Sequence, residues 1–146
     1  MKPDFFLHLR KSMPVADSLV IIPTYNEKEN IENIIRKVFS LEKDFHILII
    51  EDNSPDGTAD IVKGLMPEFK DRLHIEERKG KLGLGTAYIH GFKWALKKGY
   101  EYIFEMDADF SHNPEDLDRL YQACVDGADL AIGSRYCKGV NVLNLS

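Results

Sequence analysis

The chain has 146 residues, 44% hydrophobic and 29% charged, with 19 basic and 24 acidic side chains and a net charge of −5. That length accommodates one domain with a buried core, and the composition excludes a collagen-like, low-complexity or disordered chain. The acidic balance argues against nucleic acid as a partner, and no apolar run approaches the roughly 18–20 residues that span a bilayer.

The ordered pattern begins near Ser18. Residues 1–17 read as an N-terminal extension: Phe5-Phe6-Leu7 is too short and too flanked by charge for a signal peptide. Met13 would serve equally well as a start. Leu19-Val20-Ile21-Ile22 is a short apolar run stopped by Pro23, a buried strand. Asn26 followed by Glu29 predicts a capping box at the start of a helix. Ile31, Ile34, Ile35, Val38 and Phe39 then make one apolar face.

Phe45 to Ile50 is a second strand, closed by Glu51-Asp52 and a Ser-Pro-Asp-Gly turn. Ile61, Val62, Leu65, Met66 and Phe69 predict a helix that ends or bends near Pro67. Leu73 to Glu77 is a third strand, followed by a loop with Gly80, Gly83 and Gly85 and a helix over 86–98. Tyr102 to Met106 is a fourth strand, ending in Asp107-Ala108-Asp109. Asn113 caps a helix with Pro114 at its first position and Leu117, Leu120, Tyr121, Cys124 and Val125 on its apolar face. Asp129 to Ile132 is a fifth strand, followed by Gly133-Ser134-Arg135-Tyr136. Strands alternating with helices predict an α/β fold around a mostly parallel sheet.

In such sheets ligands sit outside the carboxyl ends of the strands, and the unusual polar residues fall there. Asp107 and Asp109, two apart in extended backbone, face the same side. Paired carboxylates can hold a hard divalent cation and leave positions open. With Glu51, Asp52 and Asp56 nearby, the mouth is expected to be anionic and to need a cation before it accepts a phosphate. An Asp-x-Asp pair is by itself as often a solvated turn, and polar loops are ordinary. The glycine loop opens a helix, where backbone N–H groups can meet an anion. It matches neither Gly-x-Gly-x-x-Gly nor the P-loop, because Gly85 is followed by Tyr88 at the third position and Gly80-Lys81 by Leu82.

Other chemistries find less support. The five histidines show no paired metal spacing, and there is no Gly-x-Ser-x-Gly elbow. Cys124 reads as a core residue. With Cys137 it is too little for a disulfide framework, which points to a reducing, cytoplasmic compartment.

Five segments together resemble family-2 glycosyltransferases of the GT-A fold. They are Val20 to Glu27, Glu51 to Thr58, Lys81 to Tyr88, Met106 to His112 and Gly133 to Tyr136. Within that family the resemblance is to polyprenol-phosphate (dolichol-phosphate) mannosyltransferases. It implies a three-layer, Rossmann-like sheet that binds a nucleotide sugar. Pro23, Tyr25 and Glu27 would line the nucleotide pocket, Ile50 and Asp52 would contact the base, and Ala108 would contribute its backbone. Asp107 and Asp109 would hold Mg²⁺ or Mn²⁺ on the donor diphosphate, with Ser111 as a weak third contact. Arg135 would lie near the donor phosphates. The implied donor is GDP-mannose and the implied acceptor a polyprenyl phosphate, reached at the cytoplasmic face of a membrane.

Two departures from the family pattern are visible. Glu51-Asp52-Asn53-Ser54 stands where relatives often have Asp-Asp-Gly-Ser; Glu keeps the charge, and Asn tolerates a left-handed backbone. The family also continues past Gly-Ser-Arg-Tyr into elements that handle the acceptor. Residues 18–146 are therefore expected to form the donor half of a larger catalytic domain, with a sheet incomplete at its C-terminal half. The fifth strand would then expose an edge able to pair with another chain as a homo-oligomer. The competing readings are a nucleotide-sugar-binding fragment without turnover, a haloacid-dehalogenase-like phosphotransferase and a receiver-type signalling domain. The second would place Asp-x-Asp after the first strand. The third would place an acceptor Asp after the third strand, where this chain has Glu77-Arg78-Lys79.

Overall fold

A computed structural model describes residues 17–133 and 140–143. Of the extension predicted over residues 1–17 only Asp17 is described, and the predicted site residue Arg135 lies outside the described residues.

The central strand, β1 (Ser18–Thr24), is buried at every position except half-buried Pro23. Such a strand must be covered on both faces and flanked on both edges, and its apolar run supplies no polar face to expose. It pairs in parallel with β2 (His46–Glu51) on one side and β4 (Tyr102–Glu105) on the other. Beyond β2 lies β3 (Leu73–Glu77), so the parallel sheet has the order β3-β2-β1-β4.

Four helices cover this sheet unequally. Val20, Ile22, Ile47 and Ile49 face one side, where α1 (Ile31–Phe39), α2 (Thr58–Leu65) and α4 (Asp116–Val125) pack around Phe45 and Phe104. On α1 the predicted stripe is realised: Ile31, Ile34, Ile35 and Val38 are fully buried, each contributing about 1.5–3 kcal/mol of transfer free energy. Leu19, Ile21, Leu48 and Ile50 face the other side, where α3 (Leu84–Lys98) lies alone. Its contact residues Ala87, Gly91 and Ala95 recur every four positions and are small, which lets the helix backbone approach the sheet. A Cβ added at Gly91 would sit 2.7 Å from Cγ2 and 2.9 Å from Cδ1 of Ile21.

The fifth strand departs from expectation. β5 (Leu130–Gly133) does not join the parallel sheet; it pairs antiparallel with β6 (Val140–Leu143). The two strands are near neighbours along the chain, so this pairing closes at small entropic cost. The predicted capping box also fails. Asn26 adopts a left-handed φ of 56°, no side chain caps α1, and the helix begins only at Ile31. At α4 the Asn113 turn forms, its Oδ1 accepting the Glu115 N–H at 3.1 Å, but the helix begins two residues later than predicted, at Asp116, with Glu115 at the N-cap position.

At the amino end of the sheet two imidazoles are partly buried. His46 Nδ1 lies 2.8 Å from the Tyr100 hydroxyl, and the His74 ring packs 5.0 Å from Trp94. Burial pushes both imidazoles below the ordinary histidine value. The unfolded chain therefore binds more protons than the folded one as the pH drops below about 6.5.

Two outcomes follow from this packing. Gly91→Val loses about 2–3 kcal/mol in urea denaturation, while Gly85→Ala, with nothing within 4 Å of its new Cβ, loses none. Stability also falls between about pH 7 and pH 5, and His74→Leu makes that decline shallower. An unchanged slope in the variant counts against the role of His74.

Candidate functional site

The four loops that leave the carboxyl ends of the parallel strands are tied to one another in sequence order. The first loop, after β1, has three N–H groups that no helix satisfies, and the second loop answers them. Ser54 Oγ accepts Asn26 N–H at 2.9 Å, Thr58 Oγ1 accepts Glu27 N–H at 3.0 Å, and Asp56 Oδ2 accepts Lys28 N–H at 3.1 Å. Asp56 Oδ1 also accepts the Thr58 N–H at 3.0 Å. Its carboxyl lies below the usual carboxylate range: hydrogen bonds from the Thr58 hydroxyl and the two N–H groups outweigh the larger opposing effect of burial.

Glu51 is buried and folds back on its own turn, accepting the Ser54 N–H and hydroxyl. Asn53 adopts φ 56°, the left-handed backbone anticipated from its place in the motif. Its side-chain amide donates to Lys79 O at 3.3 Å and so reaches the third loop.

The main link between the second and third loops is Arg78. Its Nε and Nη2 donate to the two Asp52 oxygens at 2.6 and 2.7 Å, with the side chains 7% and 8% exposed. Nη1 donates to Thr86 Oγ1 at 3.0 Å, and Nη2 also lies 3.4 Å from Gly83 O. One bidentate pair thus joins the end of β2 to the glycine loop and the first turn of α3. Above it, Lys81 Nζ sits 4.8 Å from the centre of the Tyr25 ring, a cation–π contact between the third loop and the first.

The fourth loop carries the Asp-x-Asp pair. Tyr88, on α3, donates its hydroxyl to Asp107 Oδ1 at 3.0 Å. Burial, and then the Asp107 carboxylate, push the phenol far above its ordinary value, so it remains a donor. The Asp107 N–H is accepted by His112 Nδ1 at 3.2 Å. Phe110 turns the chain at φ 60°, and Ser111 N–H donates to Asp109 Oδ1 at 2.9 Å. Hydrogen bonds from the Ser111 hydroxyl and backbone hold the Asp109 carboxyl below the usual range.

The predicted site residues fall at this end of the sheet, with differences. Pro23, Tyr25 and Glu27 line the first loop; Tyr25 is 38% exposed. Ile50 is fully buried beneath α3, main chain and side chain alike, between β1 and β3. Ala108 is buried in the core between the two carboxylates. Asp52 is not a free acid at the mouth, because Arg78 takes both of its oxygens. The expectation of an anionic cluster at Glu51, Asp52 and Asp56 is corrected in the same way: these acids are turned inward onto Ser54, Arg78 and the Lys28 and Thr58 N–H groups. Sequence reasoning missed Arg78 and Tyr88; a basic residue just past β3 and a hydroxyl one turn into α3 were the available signals.

Among the described residues no three His, Cys, Asp or Glu side chains converge into a metal cage. The Asp107–Asp109 pair nevertheless suits a divalent cation in donor chemistry, two hard carboxylates with room for other ligands. Mg²⁺ in particular is held by one or two carboxylates together with substrate phosphates.

With the geometry established, the relationships are clear. The family model for Glycosyl transferase family 2 matches residues 19–145. The chain belongs to that family. It is 50% identical over 131 residues to the polyprenol monophosphomannose synthase of Mycolicibacterium smegmatis, covering 90% of this chain and 49% of the relative. It is 44% identical over 126 residues to the undecaprenyl-phosphate mannosyltransferase of Micrococcus luteus, covering 86% of this chain and 51% of the relative. The chain spans about half the length of these curated relatives. Among solved structures, S. aureus TarS 1-349 superposes with a TM-score of 0.60 at 21% identity, over 86% of this chain and 38% of that one. The shared fold is GT-A.

The buried pair has a measurable consequence. Arg78→Met leaves Asp52 buried without its partner and costs about 3–5 kcal/mol in urea denaturation. Replacing both residues, Arg78→Met with Asp52→Leu, recovers much of that loss. Equal losses in the single and double variants contradict the pairing.

Proposed function

We propose that this chain is the donor-binding part of a glycosyltransferase that moves mannose from GDP-mannose to a polyprenyl phosphate. The observation that carries the reading is the 50% identity to a polyprenol monophosphomannose synthase over 90% of the chain. The chain also keeps its motif residues at the strand ends, where open α/β sheets bind ligands.

Tyr25 offers an aromatic surface for the base, held in place by Lys81. Asp52, closed on both oxygens by Arg78, would shape the base-binding end of the mouth as part of its framework. Asp107 and Asp109 would hold Mg²⁺ or Mn²⁺. When bound, such an ion neutralises charge on the departing diphosphate as a Lewis acid. Tyr88 fixes the rotamer of Asp107 through its hydroxyl, and Ser111 keeps Asp109 ionised. Ser111 is thus a support of Asp109 first, and a weak metal contact from it would be secondary.

The acceptor phosphate oxygen attacks the anomeric carbon in one displacement, with inversion. A phosphate monoester has a second pKa near 6 and is largely ionised at neutral pH, so no protein base is needed. Arg135 is assigned to the donor phosphates. The half-domain over residues 18–146 would work with further elements that handle the acceptor. Among the described residues no helix is long and apolar enough to cross a membrane, and access to a lipid acceptor would be peripheral.

Calorimetry tests this reading. GDP binds in the presence of Mn²⁺ or Mg²⁺, loses affinity in EDTA, and weakens about tenfold or more in Asp109→Ala. GDP-mannose raises the melting temperature more than UDP-glucose does. GDP binding indifferent to both EDTA and the substitution overturns the assignment.

A further inference from the structure

Charge is distributed unevenly along this acidic chain. Six of its 19 basic residues and none of its 24 acidic ones lie between Arg78 and Lys98. Arg78 is buried; the other five are exposed lysines. The segment is the glycine loop and α3, the helix that alone covers one face of the sheet.

The outward stripe of α3 is opposite Ala87, Gly91 and Ala95. It carries Ile89, Lys93, Leu96 and Lys97. Ile89 is 56% exposed and Leu96 68% exposed, seven positions apart on the same side. At the amino end of the helix the stripe continues into Leu82, which is 62% exposed, beside Lys81. Exposed apolar side chains aligned on one side of a helix with lysines interleaved are the pattern of an interfacial helix.

Among the described residues no ion pair engages these lysines. The nearby acid on the sheet, Glu76, faces His90 at 3.4 Å. Lys81 and Lys98 lie over the Tyr25 and Trp94 rings, and the charges of Lys79, Lys93 and Lys97 are left for an external partner.

We propose that this face docks on an anionic lipid bilayer. The leucine and isoleucine side chains would enter the headgroup boundary, and the lysines would lie on their stems with ammonium groups at the lipid phosphates. Charge complementarity selects this partner: the acidic remainder of the molecule is repelled from the same surface, which orients α3 towards it. A second copy fits poorly, because an isologous contact would set lysines against lysines. The glycine loop would then meet the bilayer beside the strand ends.

Vesicle sedimentation without nucleotide or metal tests the inference independently of the donor reading. The full chain pellets with vesicles of phosphatidylcholine and phosphatidylglycerol, not with phosphatidylcholine alone, and added salt weakens the binding. Replacing Lys93 and Lys97 by Ser weakens it about fivefold per lysine. Ile89→Ser with Leu96→Ser also weakens it while the urea midpoint stays unchanged. Equal binding to neutral vesicles, full binding by the variants, or self-association abolished by Ile89→Ser without vesicle binding would each overturn it. A chain that binds GDP but no vesicles overturns this inference alone.

Discussion

Arg78 leaves the end of β3 and turns inward, where its guanidinium bridges both oxygens of Asp52, the Thr86 hydroxyl and the carbonyl of Gly83. Two parallel strands, the glycine loop and the start of α3 converge on this group. A buried guanidinium is costly to desolvate, and only a bidentate carboxylate with further acceptors offsets that cost. The pair consequently specifies a geometry more than it adds net stability. If Asp52 moved, the base of the ligand mouth, the glycine loop and the Tyr88 support of Asp107 would lose their common reference.

Around this anchor the loops form a chain of supports. The second loop satisfies the N–H groups of the first, Arg78 joins the second to the third, and Tyr88 joins α3 to the fourth. Side chains that look catalytic in a linear reading are partly spent on this scaffolding. Glu51 and Asp56 hold turns, and Asp107 and Asp109 remain as the carboxylates at the mouth suited to a cation. The two faces of the sheet differ as well. Three helices bury one face against a broad core, while α3 covers the other through small residues and presents its own outer stripe to the surroundings.

Most of this architecture was legible in local pattern. The apolar runs of β1 and β2, the stripe on α1 and the Asn113 turn before α4 each follow from periodicity or turn chemistry. The positions of the motifs followed too, because parallel α/β sheets place ligand loops at one end. The errors arose where the choice of partner was decided beyond the local pattern. The Asn26 N–H is satisfied by Ser54, 28 residues away, so the capping box was not needed. β5 found a closer antiparallel partner in β6 than the parallel sheet could provide.

The sequence by itself determined the alternation of strands and helices and the order of the motifs, since hydrophobic period and turn residues are local properties; the family followed from the resemblance those motifs carry. It also determined the acid-free segment that becomes α3 and its loop. Only the tertiary structure decided which acids face a ligand. Asp52 and Asp107 are both acids at strand ends, yet one is closed by Arg78 and the other stays half-exposed beside Tyr88. Their difference is set by side chains 26 and 19 residues away, and burial and pairing across such distances are not written in any local pattern.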